Sequence, residues 1–146
     1  MTRDIQHQSE IDAAPDAVWA QLTDTAAYDQ WNPFVRRLSG ELSVGATLTV
    51  EVAPPGGRAM TFKPTVLAVE AGRELRWLGQ FLVPGLFDGE HSFRLEELPS
   101  GRTRLTQAER FHGLLVGISG GALEKTRLGF EQMNRALKQR AEAAVA

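Results

Sequence analysis

The sequence predicts an α+β domain in which a curved antiparallel sheet of about six to seven strands wraps a long C-terminal helix, with two short helices after the first strand. Three observations carry this. Apolar and polar side chains alternate through most of residues 47–112, the period of half-buried strands; a helical period governs the chain from about residue 120 to 143; and the turns between strands permit hairpins without crossovers.

Residues 3–11 place Ile5 and Ile11 on one parity and Gln6, Gln8 and Glu10 on the other, so the first strand has one buried face. Pro15 suits a first helical position, Asp16 lies beside it at the positive end of the dipole, and Val18, Trp19 and Leu22 recur at helical spacing up to Thr23. A second helical turn over residues 24–30 ends at Trp31-Asn32-Pro33, because proline pushes the preceding residue out of the helical region.

Leu48, Val50 and Val52 then alternate with Thr47, Thr49 and Glu51, between Gly45 and the turn Pro54-Pro55-Gly56-Gly57. Residues 60–70 and 73–81 flank Ala71-Gly72 as a hairpin. Pairing Glu70 with Arg73 sets Val66 opposite Trp77, Ala68 opposite Leu75 and Phe62 opposite Phe81, which makes one face uniformly apolar. A slip of one residue would set that face against Glu74 and Arg76, so the register is strongly specified.

The most informative hairpin joins strands 87–98 and 102–112 through Pro99-Ser100-Gly101, a type I turn followed by a left-handed glycine. Pairing Leu98 with Arg102 opposes Leu95 to Leu105, Phe93 to Gln107 and His91 to Glu109, on the face that also carries Phe87 and Phe111. Three polar groups therefore enter an apolar face. Residues 113–121 mix leucine, valine and isoleucine with four glycines, an apolar connector with the character of a lid. Leu123, Phe130, Met133 and Leu137 share one face of the final helix, opposite Glu124, Lys125, Glu131, Lys138 and Gln139. A sheet of this many strands twists and curls, so a straight helix leaves an apolar cavity against it.

Composition narrows the function. The chain of 146 residues is sized for one domain covering residues 1–146, and 42% hydrophobic with 23% charged residues is globular. A net charge of −2 with no clustered basic face argues against nucleic acid. The absence of cysteine excludes a disulfide framework, a thiolate metal site and a cysteine nucleophile. No apolar run spans a bilayer and the first residues lack a signal-peptide core, so no integral membrane association and a cytoplasmic location are expected. The glycine pairs at 56–57 and 120–121 lack phosphate-loop spacing, and no Gly-x-Ser-x-Gly elbow is present.

Ala14-Pro15-Asp16-Ala17-Val18-Trp19, with Leu22, Asp24 and Trp31-Asn32-Pro33, resembles the N-terminal signature of the START-like, helix-grip SRPBCC superfamily. Phe87 to Phe93, Thr106 to Leu115 and the helix segment Gly129-Phe130-Glu131-Gln132-Met133-Asn134 are similar to its polyketide cyclase/dehydrase-like bacterial branch, so the resemblance covers essentially the whole chain. It implies a helix-grip fold around a ligand cavity. The superfamily holds lipid carriers, hormone and polyketide binders, cyclases and chaperone activators, so it implies no single activity.

The candidate ligand-binding residues are Phe62, Trp77, Phe81, His91, Phe93, Gln107, Glu109, Phe111, Leu123 and Phe130. Each aromatic ring taken singly also reads as ordinary core. His91 and Glu109 face each other closely enough for the carboxylate to hold the imidazole in one tautomer, which makes them the candidate catalytic acid/base pair; the plain alternative is an internal hydrogen bond that shapes the pocket. Gln107 is placed to orient the polar end of a ligand, or to hold water. His7 reads as structural or exposed, and His112 has the opposite parity to His91, so the histidines gather into no metal site and no metal or other cofactor is expected. The resemblance implies that Trp19 and Trp31 pack the short helices against the sheet, while Arg36-Arg37 and Arg102 with Arg104 read as solvated edge charges.

Three functions follow in order of support. The first is binding of a small hydrophobic or aromatic molecule, lipid-like or polyketide-like. The second is a cyclase or dehydratase using His91 and Glu109. The third, implied by the resemblance, is a chaperone-activator-like protein interaction module acting through the connector at 113–118. Self-association to a homodimer is left open.

Overall fold

Ile5 and Ile11 turn inward from the first strand, β1 (Thr2–Ile11), while Gln6, Gln8 and Glu10 face outward, as the alternation requires. The structure, a computed structural model, describes residues 1–81, 83–118 and 120–146; the side chains of Phe81 and Ile118 also lie outside the described set.

Helix α1 (Pro15–Thr23) has proline in its first turn and no side-chain cap, and the Ala14 carbonyl accepts from the Ala17 and Val18 amides to start it. Its inward residues Val18 and Leu22 are fully buried. A 3-10 turn (Thr25–Ala27) leads into α2 (Tyr28–Trp31), where buried Tyr28 donates its hydroxyl hydrogen to the Leu22 carbonyl. The stop at Trp31-Asn32-Pro33 has a local cause. Asn32 Oδ1 accepts from the amides of Phe34 at 3.0 Å and Val35 at 2.9 Å, a side-chain turn that redirects the chain.

Among the described residues, eight strands form two sheets rather than one. The larger has the order β1-β8-β7-β6-β5, with β5 (Thr65–Glu70), β6 (Glu74–Phe81), β7 (Phe87–Glu97) and β8 (Thr103–His112). The smaller has the order β2-β3-β4, with β2 (Val35–Ser39), β3 (Thr49–Val52) and β4 (Met60–Phe62). Residues 45–48 stitch them together through Leu48 N–H to Pro64 O, Gly45 N–H to Val66 O and Val66 N–H to Ala46 O.

Two registers correct the sequence expectation. The expected strand 60–70 is split, because Pro64 has no amide hydrogen to give the ladder. Phe62 therefore pairs with Val50 in the smaller sheet and is not opposite Phe81, whose partner is Phe87. In the β5/β6 hairpin Val66 does face Trp77, but a bulge between Val66 and Ala68 sets Ala68 against Arg76 and Val69 against Leu75. The β7/β8 hairpin matches the expectation: His91 opposes Glu109, Phe93 opposes Gln107 and Leu95 opposes Leu105.

The final helix, α3 (Gly120–Val145), buries Leu123, Phe130, Met133 and Leu137 against the larger sheet. At Gly129 the helix comes so close to the turn after Asn32 that a Cβ would collide with the Phe34 ring, and Phe34 also meets Phe130 edge-on at 5.6 Å. The arginines at 102 and 104 are half-exposed, pairing at 3.6–3.9 Å with Glu10, Asp12 and Glu96. No described helix is long and apolar enough to cross a membrane.

Candidate functional site

The β7/β8 turn fixes the site. Gly101, at φ +82°, lets its own N–H reach the Leu98 carbonyl, and Leu98 N–H donates to Arg102 O, both at 2.8 Å. That closure aims His91, Gln107 and Glu109 at α3. His91 is 4% exposed and Gln107 fully buried, while the Glu109 side chain keeps 17% of its surface.

These side chains form a continuous polar chain. His91 Nδ1 lies 3.1 Å from Glu109 Oε1, and His91 Nε2 lies 3.0 Å from Gln107 Oε1. Gln107 Nε2 donates to Asn134 Oδ1 at 2.8 Å. Asn134 Nδ2 in turn stands 3.0 Å from both the backbone carbonyl and the ring Nδ1 of His7 on β1. His7 is therefore half-buried and structural, tied to the helix from the opposite strand.

Asn134 is the member the sequence reading missed. It is fully buried on the stripe Phe130, Asn134, Leu137 of α3, and a lone amide on such a stripe was the available signal. A buried amide is tolerated when its hydrogen bonds are made, and both ends of this one are engaged.

An aromatic wall encloses the imidazole. Trp77 stacks on His91 with centroids 5.1 Å apart and an 18° tilt, Phe93 lies at 4.8 Å, and Phe130 presents its edge from α3 at 5.0 Å. Where the sequence reading places an open gap, these rings occupy the space: Phe93 and Phe130 are fully buried and Trp77 is 5% exposed. A wall facing a wide void would show far more accessible surface. Phe111 and Leu123 are also buried, and Phe111 meets half-buried Phe87 at 5.4 Å beyond Glu109. Phe62, half-buried on β4, makes no ring contact with this cluster among the described residues, and the Phe81 side chain lies outside the described set.

The layout of a sheet gripped by a long C-terminal helix can be compared with known proteins. A family model described as polyketide cyclase/dehydrase and lipid transport matches residues 2–142. The chain belongs to this polyketide cyclase/dehydrase family. No curated protein matches the sequence. Among solved structures, the fold of this family member is similar to the Zhui aromatase/cyclase from Streptomyces sp. R1128, with a TM-score of 0.76, 20% identity, and coverage of 100% of this chain and 97% of that one. It is also similar to TTHA0849 from Thermus thermophilus, with a TM-score of 0.76, 14% identity, and coverage of 99% and 100%. The di-domain ARO/CYC BexL of the BE-7585A biosynthetic pathway matches with a TM-score of 0.71 at 17% identity, covering 97% of this chain and 49% of that one. At these identities the likeness concerns the fold.

Two hollows lie at the surface of this family member, and the first of them reaches Glu109. One of about 450 Å³ lies mainly over the outer face of the larger sheet, where charges cancel across strands: Arg76 pairs with Glu90 at 2.6 Å, Arg110 with Asp4 at 2.9 Å and Arg94 with Glu74 at 3.3 Å. The Arg110 guanidinium holds the Asp4 carboxyl below its usual range. The other, about 550 Å³, lies beside Trp31 and Arg140, whose guanidinium sits 5.9 Å from the indole ring. The first, lined mainly by charged and polar side chains, lacks the apolar lining that a hydrophobic ligand needs.

Proposed function

We propose that this chain binds a small hydrophobic or aromatic molecule, lipid-like or polyketide-like, between the larger sheet and α3, with Glu109 and His91 as the polar end of the site. The observation that carries this is a carboxylate that keeps 17% of its side-chain surface beside an otherwise buried aromatic wall. Ligand pockets combine apolar walls with a few placed polar groups, and this face has that composition. Entry requires the rings of Trp77, Phe93 and Phe130 to part from the imidazole, while the Gln107–Asn134 link holds the imidazole itself. Titration with an environment-sensitive apolar fluorophore, competed by long-chain fatty acid or by a polycyclic phenol, tests it. Saturable binding that weakens in Phe130→Trp is expected; a folded protein that leaves the fluorophore unchanged defeats the reading.

A second reading is a cyclase or dehydratase in which His91 and Glu109 move protons. It is favoured by their 3.1 Å contact beside the aromatic wall, and by the likeness to an aromatase/cyclase. Turnover of a polyketide-like substrate that survives replacement of both residues would discard this mechanism.

A further inference from the structure

The polar chain that ends at His91 has a direction, and a backbone atom sets it. The carbonyl oxygen of His7 can only accept, so the Asn134 atom 3.0 Å from it must be the amide nitrogen. Asn134 Oδ1 is thereby turned to Gln107 and accepts from Gln107 Nε2 at 2.8 Å. Gln107 then offers Oε1 to His91 Nε2 at 3.0 Å, and two bare acceptors cannot share that contact, so His91 Nε2 carries a hydrogen. Each assignment forces the next.

We infer that Asn134 is a positioning residue which, through Gln107, locks a proton on Nε2 of His91 and reserves Nδ1 for Glu109. The Nδ1 to Oε1 contact of 3.1 Å then holds one proton between the two side chains. If the proton sits on nitrogen, Glu109 is a carboxylate; if it sits on Oε1, Glu109 is an acid whose other oxygen is a carbonyl. In both cases Glu109 Oε2 has lone pairs only. Core packing alone does not call for this arrangement. Asn134 is fully buried at a position where leucine would continue the apolar stripe at no cost in desolvated amide.

The inference rests on reading His91 and Glu109 as the polar end of a site, and its test is run on ligand-free protein so that it fails or succeeds apart from ligand binding. The readout is heteronuclear NMR of the histidine ring nitrogens, which distinguishes a protonated from a bare Nε2. The wild type should show His91 Nε2 protonated. Asn134→Asp, recorded at a pH where this buried carboxyl is protonated and donates to His7 O, keeps an acceptor facing Gln107 and should leave that signature in place. Asn134→Leu frees the Gln107 amide to turn over, and should move His91 toward the form protonated on Nδ1 with Nε2 bare. A bare Nε2 in the wild type overturns the inference, as does a folded Asn134→Leu protein with unchanged ring signals. Should Asn134→Leu not fold, the wild-type spectrum decides, and a bare Nε2 there overturns it.

Discussion

The carboxylate of Glu109 lies directly over Gly89, at a place where any Cβ would collide with Oε2. Gly89 sits on β7 opposite Phe111, two residues before His91, so the missing side chain is what lets Glu109 lean along its own face toward the imidazole. Gly89→Ala should therefore displace Glu109 from His91, at a cost of about 0.5–1.5 kcal/mol set by the loss of that contact rather than by core overpacking. In a Glu109→Ala background the same substitution should cost much less. Chemical denaturation of the four proteins of this cycle measures the coupling, and additive costs would show that the glycine serves something else.

Gly129 and Phe34 make a second such pair, between α3 and the turn after Asn32. Alanine is favoured over glycine inside a helix by about 1 kcal/mol, so Gly129→Ala would stabilise an unconstrained helix. Here the new Cβ meets the Phe34 ring, and rigid packing should win, giving a net loss of about 1–3 kcal/mol. Phe34→Val removes the δ and ε carbons, and in that background Gly129→Ala should become neutral or stabilising. Thermal melts that show the same penalty in both backgrounds would disprove the contact as its cause.

How much of this was legible in the chain depends on how far apart the partners lie. The opposition of His91 and Glu109 follows from Pro99-Ser100-Gly101 and simple counting, because a tight turn fixes a two-residue period on both sides. The place of Phe62 is not legible locally, because Pro64 ends one ladder and residues 45–48 begin another, a choice made by tertiary pairing. Strand β2 gave no alternation to read, since its bulge between Val35 and Arg37 breaks the period. Asn134 could be seen as a polar residue on an apolar stripe, but its partners Gln107 and His7 are 27 and 127 residues away, and no local rule joins them.

Tyr28 makes the fold sensitive to alkali. It is the single tyrosine of the chain, fully buried, and burial pushes its hydroxyl well above the ordinary value of 10.0, with nearby Asp24 adding to the effect. A raised folded-state pKa means that stability is intact below the unfolded value and is lost as pH rises from there toward the folded one. Tyrosinate absorbance should thus appear cooperatively with unfolding above the ordinary range, in step with the loss of tryptophan signals. Tyr28→Phe should flatten this alkaline dependence while costing about 1 kcal/mol near neutral pH for the lost bond to Leu22 O. Ionisation of Tyr28 in a still-folded protein at its ordinary pH would contradict the burial argument.

If Glu109 meets the ligand as proposed, its Oε2 should set a preference among ligands that can be read without knowing the natural one. Because Oε1 is engaged with His91 and Oε2 keeps lone pairs only, a ligand group reaching Oε2 has to bring a hydrogen. A naphthol should therefore bind more tightly than its methyl ether, which has the same apolar body but no donor. A hydrogen bond to a charged group contributes about 1.5–3 kcal/mol, which corresponds to roughly ten-fold or more in affinity. In Glu109→Leu the two should bind alike, through the apolar wall alone. Calorimetric titrations decide the matter: equal affinity of both compounds for the wild type, or a preference that persists in Glu109→Leu, would show that this carboxylate does not meet the ligand.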